Sequence, residues 1–234
     1  MRCLPGRVKE VRFESGGRAA WIECPRAACP DPGRYVLAYA PADADQFLAL
    51  ALFSGQAAGD PATGSQPGEG GFLAAPPVPD SWGPGTALEL RGPCGRGFQL
   101  PGEIRRLGAA AFTPSAARLM PVITQALQRD VSVTLFSDSP LVGLPYALEV
   151  SPLAALTEAL PWADFLALDL PLEKLEDLRT LMGAGELRCP AQALIYIPMP
   201  CGGAAECGAC AVPARRGYKL ACKDGPVFDL RELL

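Results

Sequence analysis

The chain of 234 residues contains no histidine. Without an imidazole it cannot form a histidine-assisted serine or cysteine nucleophile, a histidine-liganded zinc ion or a Rieske-type iron–sulfur centre. Its chemistry must therefore come from cofactors, carboxylates, lysines or thiolates.

The sequence also lacks an excess of basic residues and a long apolar run. A formal net charge of −4 and a pI near 5.0 argue against a nucleic-acid partner. The longest apolar runs, such as residues 164–171, are far shorter than the roughly 20 residues of a membrane-spanning helix. The first residues have no signal-peptide pattern. We expect a cytoplasmic protein without a membrane span.

Cysteine, by contrast, is abundant, with nine in the chain. Four of them, Cys201, Cys207, Cys210 and Cys222, have the spacing C-x5-C-x2-C-x11-C. Plant-type [2Fe-2S] ferredoxins use C-x4-C-x2-C and a distant fourth cysteine, a difference of one residue in the first gap. The glycines and alanines between these cysteines leave room for backbone amides near the cluster sulfurs. The spacing predicts a [2Fe-2S] cluster on these four thiolates.

A structural zinc ion is the alternative ligand of this tail, although four-cysteine zinc sites usually have two short C-x2-4-C pairs. The cytoplasm keeps thiols reduced, so disulfides are not expected. The other cysteines are predicted to be small buried apolar side chains. They are Cys3, Cys24, Cys29, Cys94 and Cys189.

Three regions differ in pattern. Residues 1–101 contain short strands separated by proline and glycine, which is typical of a small antiparallel β-barrel. Residues 102–198 alternate between helix and strand patterns, which indicates a parallel sheet with crossover helices. Residues 199–234 form the cysteine tail. The predicted fold class is α+β multidomain: barrel, α/β nucleotide-binding-like domain and cluster tail.

Individual elements follow from hydrophobic periodicity. Strands are predicted at 7–13, 18–24, 34–39, 86–91, 131–136, 164–170 and 192–197, and helices at 115–129, 153–160 and 172–182.

Three segments then point to a known family. They are Pro32-Gly-Arg-Tyr-Val36, Gly92-Pro-Cys-Gly-Arg-Gly-Phe98 and the tail ending in Cys222-Lys-Asp-Gly-Pro-Val-Phe228. In these segments the chain resembles the electron-transfer subunit of the two-subunit, NAD-linked dihydroorotate dehydrogenase. The resemblance implies the ferredoxin-reductase superfamily, in which electrons pass from FMN on a catalytic partner through a [2Fe-2S] cluster to FAD and NAD.

The resemblance is weaker at the flavin. Family members hold FAD with an Arg-Pro-x-Ser segment, and Ala51-Leu-Phe-Ser54 keeps only the serine. The missing guanidinium would remove a charge-assisted contact of about 1.5–3 kcal/mol. The candidate flavin-binding residues are Ser54, Gly92, Gly95 and Gly97, and FAD binding is left open.

The resemblance is weakest at the dinucleotide. The family's glycine-rich turn corresponds to residues 107–118, where only Gly108 remains and Ala109 to Ala111 add methyl groups. We therefore do not expect NAD to bind. Asp164 and Asp169, at the ends of a predicted strand, are interpreted as structural carboxylates.

These patterns predict a non-catalytic redox subunit of an oxidoreductase complex that relays electrons to or from a flavin-containing catalytic subunit. Met199, Pro200 and the loop 202–209 are the expected docking residues. One alternative is a ferredoxin-like carrier or assembly subunit that has lost FAD and NAD binding. Another is a zinc-stabilised scaffold subunit.

Overall fold

Two six-stranded β-sheets form most of the structure, a computed structural model that describes residues 3–14, 16–43, 48–55, 70–139, 144–183 and 187–234. Most of the polar segment between Ser54 and Gly71 lies outside these residues.

The first sheet is antiparallel in every pairing. Its strands are β1 (Cys3–Glu14), β2 (Gly17–Glu23), β3 (Tyr35–Tyr39), β4 (Leu50–Phe53), β5 (Gly71–Ala74) and β6 (Ala87–Cys94). They lie side by side in the order β4-β3-β6-β1-β2-β5. The two edge strands meet at one bridge, between Ser54 and Ala74. The barrel prediction is therefore confirmed as an antiparallel sheet, whereas a closed barrel is not shown.

The second sheet is parallel except at one edge. Its strands are β7 (Arg106–Ala111), β8 (Ser132–Phe136), β9 (Leu148–Ser151), β10 (Phe165–Pro171) and β11 (Ala191–Tyr196), followed later in the chain by an edge strand at Val227–Asp229. The order is edge strand-β11-β10-β7-β8-β9, and the edge strand runs antiparallel to β11. Strand β10 is central and buried along nearly its whole length, as expected of a strand covered on both faces.

The helices are short. They are α1 (Met120–Leu127), α2 (Leu156–Ala159), α3 (Leu175–Gly183), α4 (Ala221–Asp224) and α5 (Leu230–Leu233). Single 3-10 turns occupy Arg26–Ala28, Ala117–Leu119, Leu153–Ala155 and Leu172–Lys174. The tail adds a hairpin of β12 (Ala211–Pro213) and β13 (Tyr218–Leu220), and the edge strand of the second sheet is β14. Among the described residues, no helix is both long and apolar enough to span a bilayer.

The predicted strands and helices are confirmed in place, with shorter helices. Helix α1 begins at Met120 because Pro121, which has no N–H group, is accommodated in a first helical turn and not in a helix interior. The residues before it form a 3-10 turn instead. Strands β4, β5, β7, β9, β12, β13 and β14 were not predicted, since most have only three or four residues and the small side chains of β7 carry little periodic signal.

Each sheet has its own apolar core, and the core of the second sheet includes side chains from the first sheet. Trp82, Ile22 and Leu90 are buried in the core of the first sheet. Tyr35 and Phe53 belong to the first sheet but pack with the side chains of the second. The two halves therefore share an apolar junction, and the domain boundaries at residues 101 and 198 stay predictions.

Candidate iron–sulfur site

The first part of the site is a loop after β11 that carries Cys201, Cys207 and Cys210. Gly202 and Gly203 have φ values of +54° and +85°, in the left-handed region that favours glycine. A Cβ atom on Gly202 would also clash with the side chain of Leu37. Glycine is therefore required where this loop turns back against β3.

The second part is the β12–β13 hairpin, which brings the remaining ligand candidate to the loop. Ala211 pairs with Leu220, so Cys210, one residue before Ala211, and Cys222, two residues after Leu220, lie at the same end of the hairpin. The Ala221 amide donates to the Cys210 carbonyl at 3.0 Å. Cysteines that are twelve residues apart thus become neighbours.

The four sulfurs form two pairs. The Sγ atoms of Cys201 and Cys207 are 3.8 Å apart, and those of Cys210 and Cys222 are 3.2 Å apart. The Cys201 thiol also interacts with that of Cys222, which joins the pairs into one site. Within the described residues, no three Cys, Asp or Glu side chains converge tightly enough for a single ion. The predicted cysteines are thus brought together, in a two-by-two arrangement.

The site has a buried side and an open side. Cys210 and Cys222 are buried, Cys201 is half-buried and Cys207 is exposed. Burial and the contact with Cys210 raise the pKa of Cys222 to about 12, whereas backbone contacts at Ala205 and Gly203 lower the pKa of Cys201. Since a metal binds thiolate, it would displace the proton that burial otherwise holds on Cys222.

The three segments that carry the family resemblance meet beside this site. The Arg96 amide donates to the Gly225 carbonyl at 2.6 Å, and the Phe98 amide donates to the Pro32 carbonyl at 2.8 Å. Cys222 is anchored from the other side, because the Tyr35 hydroxyl donates to its carbonyl at 3.5 Å. Residues that are far apart in sequence thus form one support behind the cysteines.

The four candidate flavin residues lie in two places. Gly92, Gly95 and Gly97 belong to the turn that packs on the tail, where a Cβ on Gly95 would lie 2.6 Å from the Pro226 ring. Ser54 is buried at the bridge that joins β4 to β5. Strand β4 carries no cation. The described residues therefore do not fit a flavin held through the family's arginine.

A buried ion pair lies at the junction of the two sheets, against the segment that follows β5. The Nε atom of Arg118 is 3.1 Å from the Asp169 carboxylate, and both side chains are almost fully buried. Arg118 also donates to the Pro76 carbonyl at 3.1 Å, and its guanidinium lies 4.3 Å from the centre of the Tyr196 ring. Burial raises the pKa of Asp169, and Arg118 opposes that shift. We call this group the junction pair.

Sequence reasoning did not identify the junction pair, although it correctly interpreted both aspartates as structural. Asp164 accepts hydrogen bonds from the Arg105 and Arg106 amides at 3.0 Å and thereby holds the start of β7.

The second sheet has a cavity of about 560 Å³ where the strands end in their carboxyl direction. Thr113, Asp138 and Lys174, which follow β7, β8 and β10, line it. This is the position at which open α/β sheets bind ligands. Gly108 lies inside β7, where a Cβ would be 2.7 Å from Leu166, so it serves packing and not a dinucleotide turn. Our expectation that NAD does not bind stays a prediction.

The expected docking residues are only partly available. Met199 is 2% exposed and belongs to the core, so its assignment to docking was wrong. Pro200 is half-buried and lines a cavity of about 230 Å³ with Cys201, Tyr39, Glu89 and Arg91. This cavity gives direct access to one cysteine of the site.

Comparison with solved structures identifies the fold. The NADH-dependent reduced ferredoxin-NADP oxidoreductase, studied for flavin-based electron bifurcation, matches 98% of this chain over 89% of its own, with a TM-score of 0.72 and 20% identity. A ferredoxin reductase of carbazole 1,9a-dioxygenase in its FAD apo form matches 80% of this chain over 65% of its own, with a TM-score of 0.55 and 19% identity. A cytochrome P450 reductase from Amycolatopsis matches 80% of this chain over 67% of its own, with a TM-score of 0.57 and 16% identity. The chain has a ferredoxin-reductase-like fold.

The tail has a more particular match. Residues 198–234 match the iron–sulfur cluster binding domain of dihydroorotate dehydrogenase B. No curated protein sequence matches the chain. The family match is confined to the tail, and the solved structures describe the fold of the whole chain.

Proposed function

We propose that this chain is an electron-transfer subunit that holds a [2Fe-2S] cluster on Cys201, Cys207, Cys210 and Cys222. The pairing of the sulfurs is the observation that carries the proposal. A tetrahedral metal with bonds of about 2.3 Å to sulfur places two thiolates about 3.8 Å apart. The Cys201–Cys207 pair has this separation at 3.8 Å, and the Cys210–Cys222 pair is closer at 3.2 Å. The division into two pairs supports two irons with two thiolates each.

The residues around the cysteines would give the cluster one dry side and one accessible side. When bound, the cluster accepts and releases one electron. Cys210, Cys222 and Tyr35 belong to the apolar core, which excludes water behind the site. Cys207 is exposed, and Cys201 borders the cavity with Tyr39 and Arg91. Electrons would enter or leave through this accessible side.

The proposed partner is a flavin-containing catalytic subunit of the dihydroorotate dehydrogenase type, joined with this chain in a hetero-oligomer. The match of residues 198–234 supports this choice, because the matched domain belongs to an enzyme of that type. In this assignment the chain itself converts no substrate, and it acts in the cytoplasm.

Three possibilities differ in the cofactors that the chain holds. A ferredoxin-like carrier or assembly subunit without FAD and NAD is favoured by the junction pair, which already engages Arg118, a buried cation where the two sheets meet. FAD on this chain is favoured by the fold, since one structural neighbour is described in an FAD apo form. A zinc-stabilised scaffold would also use the four cysteines.

The absorbance spectrum of anaerobically purified protein, with its iron, sulfide, flavin and zinc contents, separates these alternatives. Cluster bands with two irons and two sulfides per chain are expected. Added flavin bands would establish FAD, and their absence would favour the carrier. A colourless protein containing zinc would overturn both redox assignments.

A pair of variants tests the ligands. Cys207→Ser should abolish the cluster absorbance, because it removes one of four thiolates. Cys3→Ser is the control, since Cys3 is also exposed but lies at the start of β1. Equal iron content in the two variants would refute the ligand assignment.

A further inference from the structure

Two cysteines outside the tail lie close together. Cys24 and Cys29 flank the 3-10 turn Arg26–Ala28, and their Sγ atoms are 4.0 Å apart. The turn is held by hydrogen bonds from the Ala28 amide to the Pro25 carbonyl at 2.7 Å and from the Cys29 amide to the Arg26 carbonyl at 3.1 Å. The spacing of the two thiols is thus set by a short, hydrogen-bonded segment.

The pair is separate from the cluster site. Cys24 belongs to the core of the first sheet and Cys29 packs against it. Cys210 and Cys222 belong to the other core. Any role of Cys24 and Cys29 therefore does not depend on the proposed cluster.

The two thiols have unequal environments. Cys24 is 6% exposed, whereas Cys29 is partly exposed and contacts the Gly71 carbonyl at 3.3 Å. The hydrogen bond between the thiols and the charge of Arg26 lower the pKa of Cys29 to about 7. The same hydrogen bond and burial raise the pKa of Cys24. Cys29 is therefore the attacking thiolate and Cys24 the resolving thiol.

We propose that Cys24 and Cys29 form a reversible dithiol–disulfide couple that exchanges with low-molecular-weight disulfides of the oxidised-glutathione class. The Cys29 thiolate attacks one sulfur of the disulfide, forms a mixed disulfide and releases one thiolate. Cys24 then loses its proton to solvent, attacks the Cys29 sulfur and releases the second thiolate. The chain is oxidised by two electrons, and one disulfide is reduced to two thiols.

Closing the bond requires a limited movement. The sulfurs must approach from 4.0 Å to about 2.05 Å. The Gly71 carbonyl then loses the thiol as a hydrogen-bond donor, because oxidised Cys29 has no S–H group. Gly71 is the first residue of β5, so the redox state of the pair would change the hydrogen bonding where that strand begins.

Trypsin makes the test direct, because Arg26 lies between the two cysteines. Cleavage after Arg18, Arg26 and Arg34 gives peptides 19–26 and 27–34, which stay linked only if the disulfide has formed. The purified protein, with its metal centre, is equilibrated anaerobically in buffers of reduced and oxidised glutathione, acid-quenched, alkylated, digested and analysed by mass spectrometry.

The linked peptides should increase as the buffer becomes richer in oxidised glutathione. For a two-electron couple, the ratio of disulfide to dithiol protein should rise tenfold for each increase of about 30 mV in the potential of the glutathione buffer. In Cys24→Ser, the mixed disulfide with glutathione should accumulate on Cys29. Failure to detect the linked peptides in wild-type protein at any glutathione ratio would overturn the proposal. A wild-type protein that accumulates only glutathione adducts would overturn it as well.

Discussion

The cysteine tail and the junction between the sheets both lie where the two halves of the chain meet, but they differ in what their polar side chains can bind. The tail retains four thiols with glycines at its turns. At the junction, the polar side chains of Arg118 and Asp169 are buried and bind each other. A fold of this kind depends on a shared apolar core, whereas holding a cofactor depends on a few side chains that remain unsatisfied without it. A packed core and a cofactor site therefore place different demands on the sequence.

Removal of Asp169 should have the largest effect on this comparison. Asp169→Ala leaves the Arg118 charge buried without its partner and should lower the free energy of unfolding by about 3–5 kcal/mol. Urea unfolding followed by tryptophan fluorescence measures this. The double variant Asp169→Leu with Arg118→Met should recover most of the loss. A cost below about 1 kcal/mol for the single variant would show that the junction pair does not hold the sheets together.

The second-largest loss of stability is expected from a substitution at the first turn of the tail. Gly202→Ala places a Cβ against Leu37 in a left-handed backbone and should cost about 2–3 kcal/mol, with reduced iron content. Gly217→Ala is the matched control, because Gly217 has a φ of +72° but nothing within 4 Å of its Cβ position, and about 1 kcal/mol is expected. If both variants load iron equally, the Leu37 contact does not shape the loop.

The smallest effect is expected at the surface of the tail. The Lys223 ammonium lies 3.4 Å from the Glu206 carboxylate, and both side chains are exposed. Lys223→Ala should change stability by at most about 0.5 kcal/mol. Lys174→Ala, which breaks the exposed pair with Asp177, is a comparable control. A thermal midpoint lowered much further by Lys223→Ala would assign this lysine to the cluster site itself.

Local patterns predicted what is local. The spacing of the tail cysteines predicted four thiols that the structure brings together, and the apolar run at β10 predicted a buried strand, because each signal lies within one segment of the chain. The junction pair could not be found in this way, since Arg118 and Asp169 are 51 residues apart, and they meet only because β10 pairs with β7, the strand that precedes the turn carrying Arg118. The Cys24–Cys29 pair did have a local signal, a separation of five residues. The signal was not used, because a free cysteine is most often a buried apolar side chain.

The contact between Tyr35 and Cys222 has a consequence for the order of assembly. These residues are 187 positions apart, so their contact forms only when both sheets have folded. A zinc finger folds around its metal, whereas here the loop acquires its support from finished tertiary structure. If the tail holds the proposed cluster, the support behind Cys222 is complete only after both sheets have folded, and a partly folded chain would present the thiols without it.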